Sequence, residues 1–339
     1  MGFAISSITR EDLTNMRGVV LRDGSGESGN ASAHELSQRS SDPRRRRLRR
    51  AGHHQRPHRR VRHIPAIALA GLLAVALATV GISWLLGAFG SSTPRFLVPL
   101  YDESTADWSR ACSGLRGTDS LTVANIGNPG GPGASPSSTW TANLRACSDD
   151  HVNVLGYVDT GYCQVPLATA EGQIDSWFHW YGAAGLRGIF LDQVSNPPDP
   201  AAQSDCLAET SSALRYYRTL ASYVHAKAGG TTVVDNFGLN PLTDWALSGG
   251  SENQRADIVV TFENSSMAYA SWLPAAWEAS YPANNFSVLV DSASSADQPA
   301  SFCAAVAKQH VGYHFASPFA SWNSLPPSGY FSSEVAQCR

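Results

Sequence analysis

The chain has 339 residues, of which 43% are hydrophobic and 16% charged, enough apolar content for a sizeable buried core and too much for wholesale disorder. Its net charge of −3 conceals two unlike parts: residues 1–63 hold 14 Arg against 6 acids, a balance of +8, and residues 64–339 come to −11. The acidic part excludes a nucleic-acid-binding role for the main domain, because phosphate neutralisation needs a basic face.

Residues 1–63 are rich in Ser, Gly, Arg and His and show no sustained apolar period, so a disordered, Arg-rich cytoplasmic tail is expected. Residues 64–86 follow without a single charge, and Gly87 to Gly90 extend the run. As a helix this stretch spans roughly 35 Å, enough for a bilayer core. A basic flank before an apolar span stays in the cytoplasm. The expectation is a single-pass signal anchor over 64–90 in the cell membrane, with an extracellular domain at 95–339. Cleavage near residue 90, which would release the domain as a secreted protein, is the alternative.

Six cysteines, Cys112, Cys147, Cys163, Cys206, Cys303 and Cys338, all fall on the outer side of that span. None forms a CxxC pair that would suggest zinc or a redox dithiol. An even number outside the cytoplasm reads as three disulfides, for which fifteen pairings are open. Nearest-neighbour pairing is expected: Cys112–Cys147, Cys163–Cys206 and Cys303–Cys338.

From residue 95 onward, short apolar runs alternate with longer amphipathic stretches. Strands are expected at 96–101, 121–127, 152–160, 188–192, 232–236, 257–263, 287–291 and 311–316. Helices are expected at 104–115, 137–147, 168–184, 204–228, 241–247, 266–280 and 296–309. Ile174, Trp177 and Phe178 fall at i, i+3 and i+4, on one helical face. The runs around Ile258 and Val288 are nearly all apolar, as parallel strands covered on both faces require. Eight such units in about 245 residues suit a (β/α)8 TIM barrel, an α/β fold. A doubly wound open sheet is the rival. It would carry a Gly-rich phosphate loop after the first strand, where this chain has Leu100-Tyr101-Asp102-Glu103.

In such a barrel the chemistry sits at the C-terminal ends of the strands. Asp192 and Glu263 each end an apolar strand that would otherwise bury a charge at several kcal/mol. Carboxylates so placed are either paired structurally or catalytic. Across a cleft, two of them are the minimum equipment for glycoside hydrolysis. The other candidates at strand ends are sugar-binding residues: Asn128, Tyr157, Asp159, Tyr162, Gln193, Asn236 and Tyr313. Asn128 opens the Pro- and Gly-rich loop Asn128-Pro129-Gly130-Gly131-Pro132-Gly133, which lacks the Lys and Ser/Thr of a phosphate-binding loop. His310 and His314 share a zinc-like spacing, but as strand residues they would lie roughly 13 Å apart, too far for one ion. No metal and no cofactor are expected.

These motifs, taken in order, resemble the spherulin-4 family, the group behind glycoside hydrolase family 135. The matching stretches are the Asn128–Gly133 loop, Leu155-Gly156-Tyr157-Val158-Asp159-Thr160-Gly161-Tyr162, Ile174-Asp175-Ser176-Trp177 with Trp180-Tyr181, Gly188-Ile189-Phe190-Leu191-Asp192, and Phe262-Glu263. The resemblance covers residues 95–325. It implies a (β/α)8 barrel acting, as an endo-acting galactosaminidase-like glycoside hydrolase, on a polysaccharide containing galactosamine or N-acetylgalactosamine. It also implies catalytic acids at Asp192 and Glu263. Members often carry Asp-Glu at the end of strand four, whereas this chain has Asp192-Gln193. A Gln neither donates nor accepts a proton as an acid does. A non-catalytic polysaccharide-binding barrel of the cell envelope is therefore the alternative function. A monomer with a polysaccharide partner is expected.

Overall fold

The computed structural model describes residues 95–127, 130–197, 206, 209–230, 232–293 and 298–338. The tail at 1–63 and the apolar run at 64–90 lie outside them. Among the described residues no helix is long and apolar enough to cross a membrane.

Eight parallel strands close into a barrel in sequence order, with β8 returning to pair with β1. They are β1 (Arg95–Leu100), β2 (Leu121–Ala124), β3 (Asn153–Asp159), β4 (Leu186–Asp192), β5 (Thr232–Asn236), β6 (Ile258–Ser265), β7 (Phe286–Asp291) and β8 (Tyr313–Ala316). Most of their residues are buried, as strands walled by side chains inside and helices outside must be. The helices are α1 (Thr105–Leu115), α2 (Ser138–Asp149), α3 (Leu167–Tyr181), α4 (Thr210–His225), α5 (Ser266–Tyr269), α6 (Gln298–Val306) and α7 (Ser328–Gln337).

Local chemistry sets these boundaries. Ser104 and Ser137 cap α1 and α2 by accepting from the backbone N–H groups of Asp107 and Trp140. On α3, Ala170, Ile174, Trp177 and Tyr181 form the buried stripe. Trp177 lies under Gly156, where a Cβ would stand 2.4 Å from its ring, so only glycine lets helix and strand approach this closely. Its indole N–H donates to the Tyr157 carbonyl at 2.8 Å, which ties α3 to the strand that carries Tyr157.

Three expectations differ from the structure. Residues 241–247 form no helix. A single turn closes on the Asp244 carbonyl between Pro241 and the Gly249-Gly250 pair, and Trp245, Ala246 and Leu247 fill the space a helix would occupy. The helix expected at 266–280 is only α5 followed by a 3₁₀ turn, Ala276–Ser280. Helix α7 was not among the expected elements. It closes the ring, with Phe331 and Val335 buried.

The disulfides join Cys112 to Cys147, Cys163 to Cys206 and Cys303 to Cys338, with Cα separations of 4.7, 6.0 and 4.9 Å. The first links α1 to α2. The second holds the loop after β3. The third fastens the residue after α7 to α6.

Candidate active site

The C-terminal ends of β3, β4, β5 and β6 bring together Tyr157, Asp192, Asn236 and Glu263. Alternation along each strand turns these side chains inward, and parallel register brings their ends level: Asp159 lies opposite Asp192, and Leu191 opposite Asp235. The Asn236 amide nitrogen donates to Asp192 Oδ1 and to Glu263 Oε2, each at 2.6 Å. One amide therefore bridges both acids, and the two acceptor oxygens can be no further apart than twice that bond length. Asn236 Oδ1 accepts from the Gly238 backbone N–H at 3.0 Å, which fixes which way the amide faces.

Each acid has a second donor. The Tyr157 hydroxyl donates to Asp192 Oδ2 at 2.6 Å, and the Trp322 indole N–H donates to Glu263 Oε1 at 2.7 Å. Both acids remain partly exposed at the floor of the mouth. Burial pushes the Asp192 carboxyl above the ordinary range, opposed by the Tyr157 and Asn236 hydrogen bonds. Burial also raises Glu263, and the nearby Asp192 charge adds to the rise, opposed by Asn236 and Trp322. The same two charges, added to burial, raise the phenol of Tyr101, which stands just past β1.

Tyr157 stands between supports. Its ring packs edge-on to Tyr101 at 5.5 Å and stacks against Phe190 at 6.3 Å. On its other side is Gly130, where a Cβ would meet the ring at 2.3 Å. The glycine-rich loop thus cradles the phenol that holds Asp192. Asn128 of that loop lies outside the described residues.

The remaining candidates divide. Asp159 sits at the end of β3, accepts from the Gly161 backbone N–H at 2.8 Å and turns the chain there. Tyr162 is 45% exposed, and its phenol is raised by burial and then by the Asp192 charge. Gln193 has φ +54° and Tyr162 φ +56°. Left-handed backbone at a residue with a side chain costs about 1 kcal/mol or more, a strain typical of functional loops. The Gln193 carbonyl accepts from the Tyr162 N–H at 2.8 Å and from the Thr160 hydroxyl at 2.9 Å, so the two strained turns brace one another.

Tyr313 is a correction. It begins β8 instead of ending it, opposite Arg95 and Ser287, at the N-terminal rim of the barrel. Its ring lies beneath the Arg95 guanidinium at 4.9 Å, at the opposite rim from Asp192 and Glu263. The apolar run around it places a strand but not the strand's direction of exit. His314 beside it is fully buried against Phe96 and Phe302, and burial holds it neutral by lowering its pKa to about 3. Tyr101 was not among the site residues read from the sequence, where its available signal was its place as the first residue past β1. Trp322 is expected from the sequence as a sugar-stacking aromatic near a strand end, and the structure places its indole N–H on Glu263.

Fold and site together define a (β/α)8 barrel with a paired-carboxylate cleft at its C-terminal mouth. The model of the spherulation-specific family 4 matches residues 95–337, and the chain belongs to that family. Spherulin-4 of Physarum polycephalum is 30% identical over 196 residues, which are 56% of this chain and 52% of that protein; the chain spans about half the length of this curated relative. Aspergillus clavatus Sph3, crystallised in complex with GalNAc, superimposes with a TM-score of 0.60 at 19% identity, over 73% of this chain and 97% of that one, a likeness of fold.

Proposed function

We propose that this protein is an extracytoplasmic glycoside hydrolase that cleaves a polysaccharide containing galactosamine or N-acetylgalactosamine. The observation that carries the reading is the Asn236 bridge, which fixes two carboxylates side by side at the mouth. Their bridged oxygens can be no further apart than twice 2.6 Å, which favours the closer carboxyl spacing of double displacement with retention over the wider one that leaves room for an attacking water. Asp192, whose charge adds to the rise of Glu263, is the nucleophile. Glu263, raised by burial and by its neighbour's charge, is the proton donor.

In the first step an Asp192 oxygen bonds to the anomeric carbon, the glycosidic bond breaks, and the leaving oxygen takes the Glu263 proton. In the second, Glu263 takes a proton from water, the water oxygen bonds to the anomeric carbon, and Asp192 leaves. The Tyr157 hydroxyl steadies the Asp192 charge before the first step and again once the carboxylate leaves in the second. GalNAc in the Sph3 crystal supports the sugar class. The charge-free run at 64–90 and the three disulfides support a membrane-tethered domain outside the cytoplasm. We take the working unit to be a monomer.

Asp192→Asn and Glu263→Gln should each abolish release of reducing ends from a galactosamine polymer. Full activity in both variants would remove the proposal. Gln193, in the place of a second strand-four acid, favours one rival reading: a barrel that binds the polymer without turnover. Robust hydrolysis by the wild type excludes that rival.

A further inference from the structure

Six large apolar side chains are exposed among the described residues: Tyr162, Leu239, Leu242, Met267, Leu273 and Phe319. All of them lie in segments that follow the C-terminal end of a strand, on the side of the barrel that carries the acids. Two of the six are aromatic, and aromatic faces receive the apolar C–H faces of sugar rings in a defined orientation, which aliphatic side chains do not impose.

The backbone fixes both aromatics. The Tyr162 N–H donates to the Gln193 carbonyl at 2.8 Å, and Cys163 beside it is tied to Cys206. Tyr162 therefore sits at the edge between β3 and β4. The Phe319 carbonyl accepts from the Ser292 N–H at 3.0 Å, and the Phe319 N–H donates to the Ser317 hydroxyl at 3.2 Å. Phe319 therefore sits at the edge between β7 and β8. In a closed ring of eight strands these two edges are diametrically opposed. The acids lie between them. Asp192 is close enough to Tyr162 to raise its phenol, and Trp322, in the same loop as Phe319, holds Glu263. Strand spacing and tilt put these two edges about 15 Å apart across the ring.

We infer that Tyr162 and Phe319 are the two end platforms of one groove across the mouth. The occupant is a sugar polymer because each platform adjoins one of the paired acids: the Tyr162 N–H donates to Gln193, next to Asp192, and Trp322, in the loop of Phe319, donates to Glu263. This deepens the proposed reading and rests on it. Phe319 becomes a binding residue and a determinant of preferred chain length.

The test uses the full chain and partially de-N-acetylated poly-N-acetylgalactosamine oligomers separated by length. Tyr162→Ala and Phe319→Ala are each expected to lower kcat/KM on long oligomers about three- to tenfold, as loss of one aromatic contact implies. The loss falls mainly on KM, and the preference for long over short oligomers shrinks. Phe319→Tyr restores it. If the wild type cleaves the polymer and Phe319→Ala keeps the wild-type length preference, the groove is overturned while the hydrolase reading stands. If the wild type binds without cleaving, the same variants compared by dissociation constant decide the matter in the same way. If it neither binds nor cleaves oligomers of any length, the functional reading falls and the groove falls with it.

Discussion

At the mouth, Asp192 and Glu263 share four side-chain hydrogen bonds and still reach solvent; in the wall, Asp235 on β5 and Glu334 on α7 packed against β8 are sealed from water, each with one oxygen that has no partner. Adjacent residues of β5 show the divide, since Asn236 faces the mouth and Asp235 the wall. Burial, with the Asp257 charge added, raises Asp235 to about 8, and burial raises Glu334 to about 8. The wall acids are therefore neutral below that pH. One Glu334 oxygen accepts the Ala316 N–H at the end of β8, so this acid serves as a structural clasp. Donors, more than depth, separate acids that can carry charge through a reaction from acids that fold only as neutral groups.

The sharpest way to break this comparison is at the mouth. Asp192→Asn or Glu263→Gln should lower kcat by about a thousandfold or more while the melting temperature stays close to wild type, as removing a catalytic acid implies. A fall in stability to match the fall in rate would make these acids structural, like those in the wall. Next comes the bridge. Asn236→Ala frees both acids from a common donor, with an expected fall of about a hundredfold in kcat/KM, read by initial rates on the same polymer. Equal rates for variant and wild type would show that the acids need no bridge.

The wall offers the opposite experiment. An unfolded Asp ionises near pH 3.9, and folded Asp235 holds its proton up to about 8. Below about pH 4 both states are neutral and nothing is lost. Between about 4 and 8 the unfolded state gains by ionising, so folded stability falls as pH rises, by at most about 1.4 kcal/mol per pH unit for this group. Asp235→Asn should therefore gain on wild type between pH 5 and pH 8, measured as melting temperature. A constant difference would show that Asp235 is already charged. The smallest effect is Trp322→Phe. It removes a donor that favours ionised Glu263, so the Glu263-dependent limb of the pH–rate profile moves to higher pH with about a tenfold or smaller loss in rate.

Much of this was legible before any coordinates. Strand runs such as 232–236 carry their own punctuation, and Asp192 and Glu263 are conspicuous as acids that close apolar runs. What escaped was set by tertiary context. The 241–247 segment is apolar enough for a helix, but Pro241 and the paired glycines confine it to a turn. Tyr313 looks like a strand end until β8 is aligned with β1 and β7 and proves to begin there. Tyr101 and Trp322 gain their meaning from the ring closing, which sets residues some 220 positions apart side by side: the Tyr101 N–H donates to the Trp322 carbonyl at 2.9 Å.

An amide nitrogen has two hydrogens, and in Asn236 both are committed, one to each acid. A proton arriving on either bridged oxygen takes an acceptor away from that same nitrogen and alters the hold on the other acid. The two acids therefore titrate as one body, coupled through the amide. The two inflections of a rate profile will describe Asp192 and Glu263 jointly, and a change to either acid or to Asn236 will move both.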